Sequence, residues 1–192
     1  MLGVLHQRWR HHRASRHCRP RLQRLRLLVL DVDGVLTDGG LWTTESGEVI
    51  KRFDVRDGLG LRLLMGAGVE VAWLSGGKSG ATEQRARYLG IARVLTGVGD
   101  KPAALLALQA ELGVSREESA FVGDDLNDLA VKPAIGLLIC TADAAAPLRR
   151  RADWVLDRKG GDGAVRRLAE EIQKARGAWA ALAERGWRER ND

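Results

Sequence analysis

Residues 27–37 read LLVLDVDGVLT. An apolar run stops abruptly at Asp31, with Asp33 and Gly34 close behind. A fully buried parallel strand delivers carboxylates to the rim of a sheet in this way. Ligands of open α/β sheets bind at that rim, outside the carboxyl ends of the strands. Two acids one residue apart on an extended segment face opposite sides. Asp31 and Asp33 therefore need different jobs, and if Asp31 faces a substrate, a bend at Gly34 can bring Asp33 round beside it. D-x-D-G also describes a strand ending in an ordinary Asx-type turn, so its meaning depends on what else reaches the same rim.

Composition limits what such a site can be. At 192 residues, 45% hydrophobic and 29% charged, the chain suits one globular domain with a sizeable core. A formal charge of +6 and a pI near 9.9 suggest nucleic acid until the charge is located. Residues 1–26 hold eight arginines and no acid, whereas residues 27–192 hold 23 basic and 25 acidic groups. The expectation is a basic, solvated, disordered tail over residues 1–25, one domain over 26–185, and a polar tail over 186–192. Residues 1–24 offer no evident apolar periodicity and are expected to be dispensable. All four histidines, His6, His11, His12 and His17, fall in that tail. Unless it folds back, the domain has no imidazole for a Ser-His-Asp triad or a zinc site, and carboxylates and lysine must do the chemistry. Cys18 and Cys140 lack metal or disulfide spacing, and no segment resembles a secretory signal or a membrane span. A cytoplasmic protein without membrane or nucleic-acid partners is expected.

Outward from the first strand, residues 39–52 predict a hairpin around Ser46-Gly47. Asp57 is expected to cap a helix carrying Leu59, Leu61, Leu63 and Leu64. A strand over 69–74 ends at Ser75, and a Gly-rich loop then opens a helix closed by Gly90. A third strand covers 91–95, and a helix starts at Asp100-Lys101-Pro102, with proline where the first turn tolerates it. Ser115 and Glu118 have capping-box spacing over a single turn. A strand over 119–122 runs into GDDLND, residues 123–128. Further strands are expected over 135–140 and 153–156, with a short helix over 144–150 between them. A last helix is expected over about 163–185, burying Val165, Leu168, Ile172 and Trp179. The alternation predicts an α/β fold: a doubly wound, mostly parallel, Rossmann-like sheet with helices on both faces and a small hairpin insert.

Asp31, Asp33, Ser75, Asp124 and Asp128 then end successive strands, with Lys101 at a helix start. Singly, each has an ordinary structural role as a cap, a surface group or a turn. Jointly, a parallel sheet brings them to one rim. Clustered carboxylates repel unless a cation sits among them, and a few oxygen ligands with open positions describe Mg²⁺. A lysine and a hydroxyl beside that ion suit a phosphoryl group.

The order DVDGVLTD, strand-end Ser-Gly, Lys101 and GDDLND resembles the haloacid dehalogenase superfamily of phosphohydrolases. Within it the chain is similar to the small phosphatases of 3-deoxy-octulosonate 8-phosphate and of nine-carbon sugar-acid phosphates. The similarity runs over about residues 25–182 and includes FDVRDGLG at 53–60 and GGDGAVR at 160–166. It implies that Asp31 is the nucleophile, forming an aspartyl-phosphate, and that Asp33 is the general acid and base. Asp31, the Asp33 backbone carbonyl and Asp124 would ligate Mg²⁺, with Asp128 supporting the site. Ser75, Lys101 and backbone N–H groups near Gly34 would hold the phosphoryl oxygens. Thr37, Arg56, Gly76 and Lys78 would line the substrate, a 2-keto-3-deoxy sugar-acid phosphate, with a broad-specificity phosphatase as the alternative. Only 37 residues separate Thr37 from Ser75, and 25 separate Ser75 from Lys101, too few for a cap domain. The resemblance implies a homotetramer in which a neighbouring subunit covers the site. The hairpin with Trp42 and the segment with Trp179 and Trp187 are the expected interface. Three features depart from the pattern: Gly76-Gly77-Lys78 where relatives carry Gly-Arg after the hydroxyl, so that Gly77 replaces the arginine, Arg167 where an acid is common, and the Arg-rich amino end.

Two other classes share parts of this constellation. A receiver domain also has an acid cluster, a hydroxyl and a lysine, but its phosphoaccepting Asp sits on a later strand and GDDLND has no role there. A nucleic-acid-binding protein on a retired phosphatase fold is motivated by the basic tail alone, and the presence of every catalytic position argues against it.

Overall fold

Residues Leu27–Leu30 form β1 in the computed structural model, which describes residues 16–78 and 80–187. All four are buried, because β1 lies at the centre of a sheet covered on both faces. It pairs in parallel with β4 (Glu70–Leu74) on one side and β6 (Ser119–Gly123) on the other. With β5 (Arg93–Leu95), β7 (Leu137–Cys140) and β8 (Trp154–Val155), the six-stranded order is β5-β4-β1-β6-β7-β8. Every pairing in it is parallel. The chain winds outward from β1 in one direction, then returns to wind the other way from β6. The crevice between the carboxyl ends of β1 and β6 is the switch point at which such sheets bind ligands. A separate antiparallel hairpin, β2 (Trp42–Thr43) with β3 (Val49–Ile50), is the small insert expected, and no cap is evident among the described residues.

The period-two alternation of the strands divides the core into two layers. Leu28, Leu30, Trp73, Val122 and Ile139 point to one face, against Leu61 and Leu64 of α2 (Val55–Gly66) and Val165, Leu168 and Ile172 of α7 (Ala164–Ala175). Leu27, Val29, Leu74, Phe121 and Leu138 point to the other, against Leu105 and Leu108 of α4 (Lys101–Leu112) and Leu148 of α6 (Ala146–Arg151). Each such side chain contributes roughly 1.5–3 kcal/mol by leaving water. The core thus fixes the strand ends that carry the polar residues.

Three expectations are corrected. The packed chain begins well before residue 26: residues 16–24 form a helix, α1, that buries Cys18 and Leu22, with Leu25 buried just beyond it. These residues recur at helical spacing, an apolar stripe hidden within an arginine-rich segment. Arg21 donates to the Gly136 carbonyl at 3.0 Å, Gln23 to that of Ala175 at 3.0 Å, and Arg176 to that of Leu25. His17 is exposed, and residues 1–15, with the other three histidines, lie outside the described residues, as do residues 188–192. The cap of α2 is Asp54, not Asp57. Asp57 is buried within the first turn, where it accepts a hydrogen bond from the Arg166 backbone at 2.7 Å. The last helix is broken: Gly177, at φ 77°, separates α7 from α8 (Trp179–Arg185). Gly177 takes up a left-handed conformation suited to glycine just past a helix end. Trp179 is consequently half-buried, with the Arg166 guanidinium and the Lys174 ammonium each 5.7 Å from its ring centroid. Among the described residues no helix is long and apolar enough to cross a membrane.

Candidate active site

Directly after β1, the Asp31 backbone donates to the Val122 carbonyl at 2.9 Å, so the neighbouring strand fixes its position. The following loop closes on itself. The Leu36 and Thr37 backbones donate to the Val32 carbonyl at 2.9 and 3.1 Å, and the Thr37 hydroxyl accepts from the Gly34 and Gly39 backbones at 3.3 and 3.2 Å. Gly34 has φ 82°, and a Cβ there would lie 2.1 Å from Asp124 Oδ2. Only glycine lets the loop pass this close to the end of β6. Behind the loop, a Cβ on Gly160 would lie 1.8 Å from the Gly34 carbonyl oxygen, and the Gly161 backbone donates to the Val35 carbonyl at 3.0 Å. The GGDGAVR segment is therefore the wall against which the loop rests.

Beneath the rim lies a buried ionic cluster. Lys101 starts α4, whose cap Asp100 accepts from the Ala103 backbone at 3.0 Å. Its ammonium is 2.9 Å from Asp31 Oδ2 and 2.6 Å from Asp128 Oδ1. The other oxygen of Asp128 accepts from the Asp124 and Asp125 backbones at 2.8 and 3.2 Å. Asp125, for which the sequence suggested no role, caps α5 (Leu126–Leu129) and accepts from the Leu126 backbone at 2.7 Å.

The charges do not balance. Asp31, Asp124 and Asp128 offer oxygens all within 4.8 Å of one another, around one lysine. Burial pushes the Asp31 carboxyl up to about 6, with Asp128 adding and Lys101 opposing. Burial pushes Asp124 up to about 7, with Asp128, Asp31 and Asp125 adding. Burial alone would lower the Lys101 ammonium, but Asp128 and Asp31 outweigh it and hold it above the ordinary lysine value. An excess of buried negative charge on oxygen donors fits a hard divalent cation. Asp128 is fully buried beneath the rim, whereas Asp31 and Asp124 line the cavity above it and are the carboxylates placed to ligate an ion there.

A cavity of about 440 Å³ opens above this cluster, and Asp31, Asp33, Gly34, Ser75, Gly76 and Asp124 are among its lining residues. Ser75, at the end of β4, is buried, and its hydroxyl accepts from the Gly77 backbone at 3.2 Å. Three expected substrate contacts are not among these lining residues. Thr37 is fully buried and its hydroxyl is spent inside the loop. Arg56 is clamped by Asp54, at 2.6 Å from its Oδ2, and by Asp162 at 3.0 Å, and it lines a different pocket beside Arg166. Near neighbours of opposite charge outcompete a distant ligand for its guanidinium. Lys78 is exposed, lays its stem over Gly97, and lines a groove beside the hairpin.

One residue of the site escaped sequence reasoning. Lys51, just after β3, has a side chain only 3% exposed, and its ammonium sits 2.7 Å from Asp33 Oδ1. It donates to Asp33 Oδ2 at 2.8 Å and to the Thr82 hydroxyl at 3.3 Å. The alternation EVIKRF carried a signal: it places Lys51 on the same face as the half-buried Val49 and Phe53, while Ile50 and Arg52 are exposed. A lysine on the inward face of a strand needs a partner.

Comparisons with known proteins bear on the chain as a whole. A sequence profile of haloacid dehalogenase-like hydrolases matches residues 87–168. The 3-deoxy-D-manno-octulosonate 8-phosphate phosphatase of Salmonella typhi is 40% identical over 163 residues, covering 85% of this chain and 87% of that one. That of Haemophilus influenzae is 41% identical over 157 residues, covering 82% and 87%. Among solved structures, the phosphatase of that name from Moraxella catarrhalis, in complex with magnesium, phosphate and KDO, superposes with a TM-score of 0.85 at 34% identity, covering 88% of this chain and 97% of that one.

Proposed function

Since the chain belongs to the haloacid dehalogenase-like hydrolases and is a phosphomonoesterase of the 3-deoxy-D-manno-octulosonate 8-phosphate phosphatase type, we propose that it removes the phosphate from that sugar acid, with Mg²⁺ as cofactor and Asp31 as nucleophile. The observation that carries this reading is the contact of Asp31 with Lys101 at 2.9 Å, on the floor of an acid-lined cavity at the switch point of the sheet. The ligands held by the Moraxella relative support the same substrate and ion here.

Phosphate monoesters hydrolyse extremely slowly in water, so the site must supply a very large barrier reduction. Asp31 attacks phosphorus and splits the hydrolysis into two steps. Asp33 protonates the departing sugar oxygen, then takes a proton from the water that attacks the aspartyl-phosphate. The Ser75 hydroxyl, the Lys101 ammonium and the backbone N–H groups of the Gly34 and Gly76 loops hold the phosphoryl oxygens. Mg²⁺, held by Asp31, Asp124 and the Asp33 carbonyl, would neutralise charge on the phosphoryl group. Lys78 follows directly on the place of the missing arginine and lines the hairpin groove, a position that suits the sugar carboxylate of a substrate extending out of the cavity.

An open cavity needs cover, and the hairpin region exposes Leu41, Trp42, Ile50 and Val55 at 59, 71, 55 and 77%. We read this apolar patch as the face on which a second copy docks, within a homotetramer. A tetrameric mass by light scattering at micromolar concentration is expected, and an active monomer rules that out. For the substrate, kcat/KM on 3-deoxy-D-manno-octulosonate 8-phosphate should exceed that on hexose phosphates by at least ~10-fold, roughly 1.4 kcal/mol of transition-state discrimination. Equal rates on both would make the protein a broad-specificity phosphatase.

A further inference from the structure

Asp33 has two demands on it: to point at the leaving oxygen, and to become a carboxylate there as the proton departs. Nothing in its own loop meets them. Its Oδ1 is shut off from solvent and lies 2.7 Å from the Lys51 ammonium, although the side chain as a whole is 33% exposed. Oδ2 is thus the oxygen that faces the cavity, and it accepts from Lys51 at 2.8 Å. Lys51 is held in turn by Thr82, a buried residue of α3 (Gly80–Leu89), at 3.3 Å. A lysine tail has many rotamers; with its ammonium tied at both ends and the side chain 3% exposed, it has one place to be.

We propose that Lys51 is the positioning residue for Asp33, holding its carboxyl group toward the leaving-group side of the cavity and stabilising the carboxylate that proton transfer creates there. The inference rests on the phosphatase mechanism above. As an Asp31 oxygen bonds to phosphorus, the bond from phosphorus to the ester oxygen breaks and its electron pair stays on that oxygen. Asp33 supplies the proton, so an alcohol leaves and Asp33 is left anionic beside the Lys51 ammonium. Lys51 touches neither phosphorus nor ester oxygen. Its influence runs through Asp33, and through the strand-end position that joins the hairpin to the site.

Leaving groups separate this role from a structural one. An alkoxide needs the proton, whereas nitrophenolate leaves nearly as well without it. The parameter to read is kcat/KM, because it covers only the steps up to departure of the leaving group. Lys51→Met should lower kcat/KM on an alkyl phosphate, such as 3-deoxy-D-manno-octulosonate 8-phosphate, by at least ~10-fold. On p-nitrophenyl phosphate the loss should stay under ~3-fold, since general acid catalysis is worth about 10²–10⁴ only where a proton is needed. Thr82→Val, a milder change that leaves Lys51 in place, should show the same split at smaller size and serves if Lys51→Met does not fold. Equal losses on both esters, no loss, or a gain on the alkyl ester would each overturn the proposal. Any alkyl phosphate that the wild type turns over serves, so a wrong substrate assignment leaves this comparison intact.

Discussion

At the scale of the residue, a nucleophilic carboxylate must be stripped of water and still stay ionised. Asp31 is 5% exposed, and one ammonium at 2.9 Å offsets its desolvation. Asp31→Asn keeps the shape and removes the attacking oxygen, so turnover should fall below detection. The melting temperature should hold or rise, because one of the crowded buried carboxylates is gone. Measurable turnover by the pure variant would rule out the covalent route. Gly34→Ala is the complementary test. Its methyl would meet Asp124 Oδ2 at 2.1 Å on a backbone at φ 82°, so the loop or Asp124 must move. Since a misplacement of about 1 Å costs around 10²-fold, kcat should fall by about that factor, and half-saturation by Mg²⁺ should shift upward in a metal titration. The letters D-x-D-G and GDDLND made these residues legible. Lys51 was harder to find because its partner Asp33 lies across the fold, and a strand of two residues gives little alternation to read.

The elements tell a similar story about local and distant information. The strands and the helices between were readable because each apolar run ends at a turn or cap signal, as at Ser75 and Asp100. The amino-terminal helix was obscured because its arginines dominate the composition while only a narrow stripe faces inward. Leu22→Ala should cost roughly 2–5 kcal/mol of unfolding free energy by chemical denaturation, whereas Arg19→Ala, at an exposed position, should stay within about 0.5 kcal/mol. A null effect at Leu22 would return that segment to the status of a tail. The break at Gly177 was missed because helix-favouring residues continue on both sides of a glycine whose left-handed φ of 77° ends α7.

The whole molecule carries its site as a standing electrostatic load. In the site Asp31 lies at about 6 and Asp124 at about 7, and outside it the buried Asp57 of α2 lies at about 6, against an ordinary 3.8. A carboxyl raised by folding binds its proton more tightly when folded, so its contribution to stability is present at low pH and is lost as pH rises from 3.8 through 6 to 7. Chelator-treated protein should therefore melt lower at pH 7.5 than at pH 5. A fall of at least about 4 °C is expected, since each kcal/mol moves the melting temperature by roughly 2–4 °C at this size. Millimolar Mg²⁺ at pH 7.5 should recover most of it by binding the ionised form. A flat profile without metal would mean that the cluster is already neutralised from within. The wall formed by Gly160 and Gly161 gives the site a timetable as well as a shape. A chain emerging from the ribosome presents its nucleophile among the first strands and the support for that nucleophile among the last elements. Through the synthesis of everything between the two it holds the reactive residues without the means to aim them, and it becomes a phosphatase only when that wall has followed.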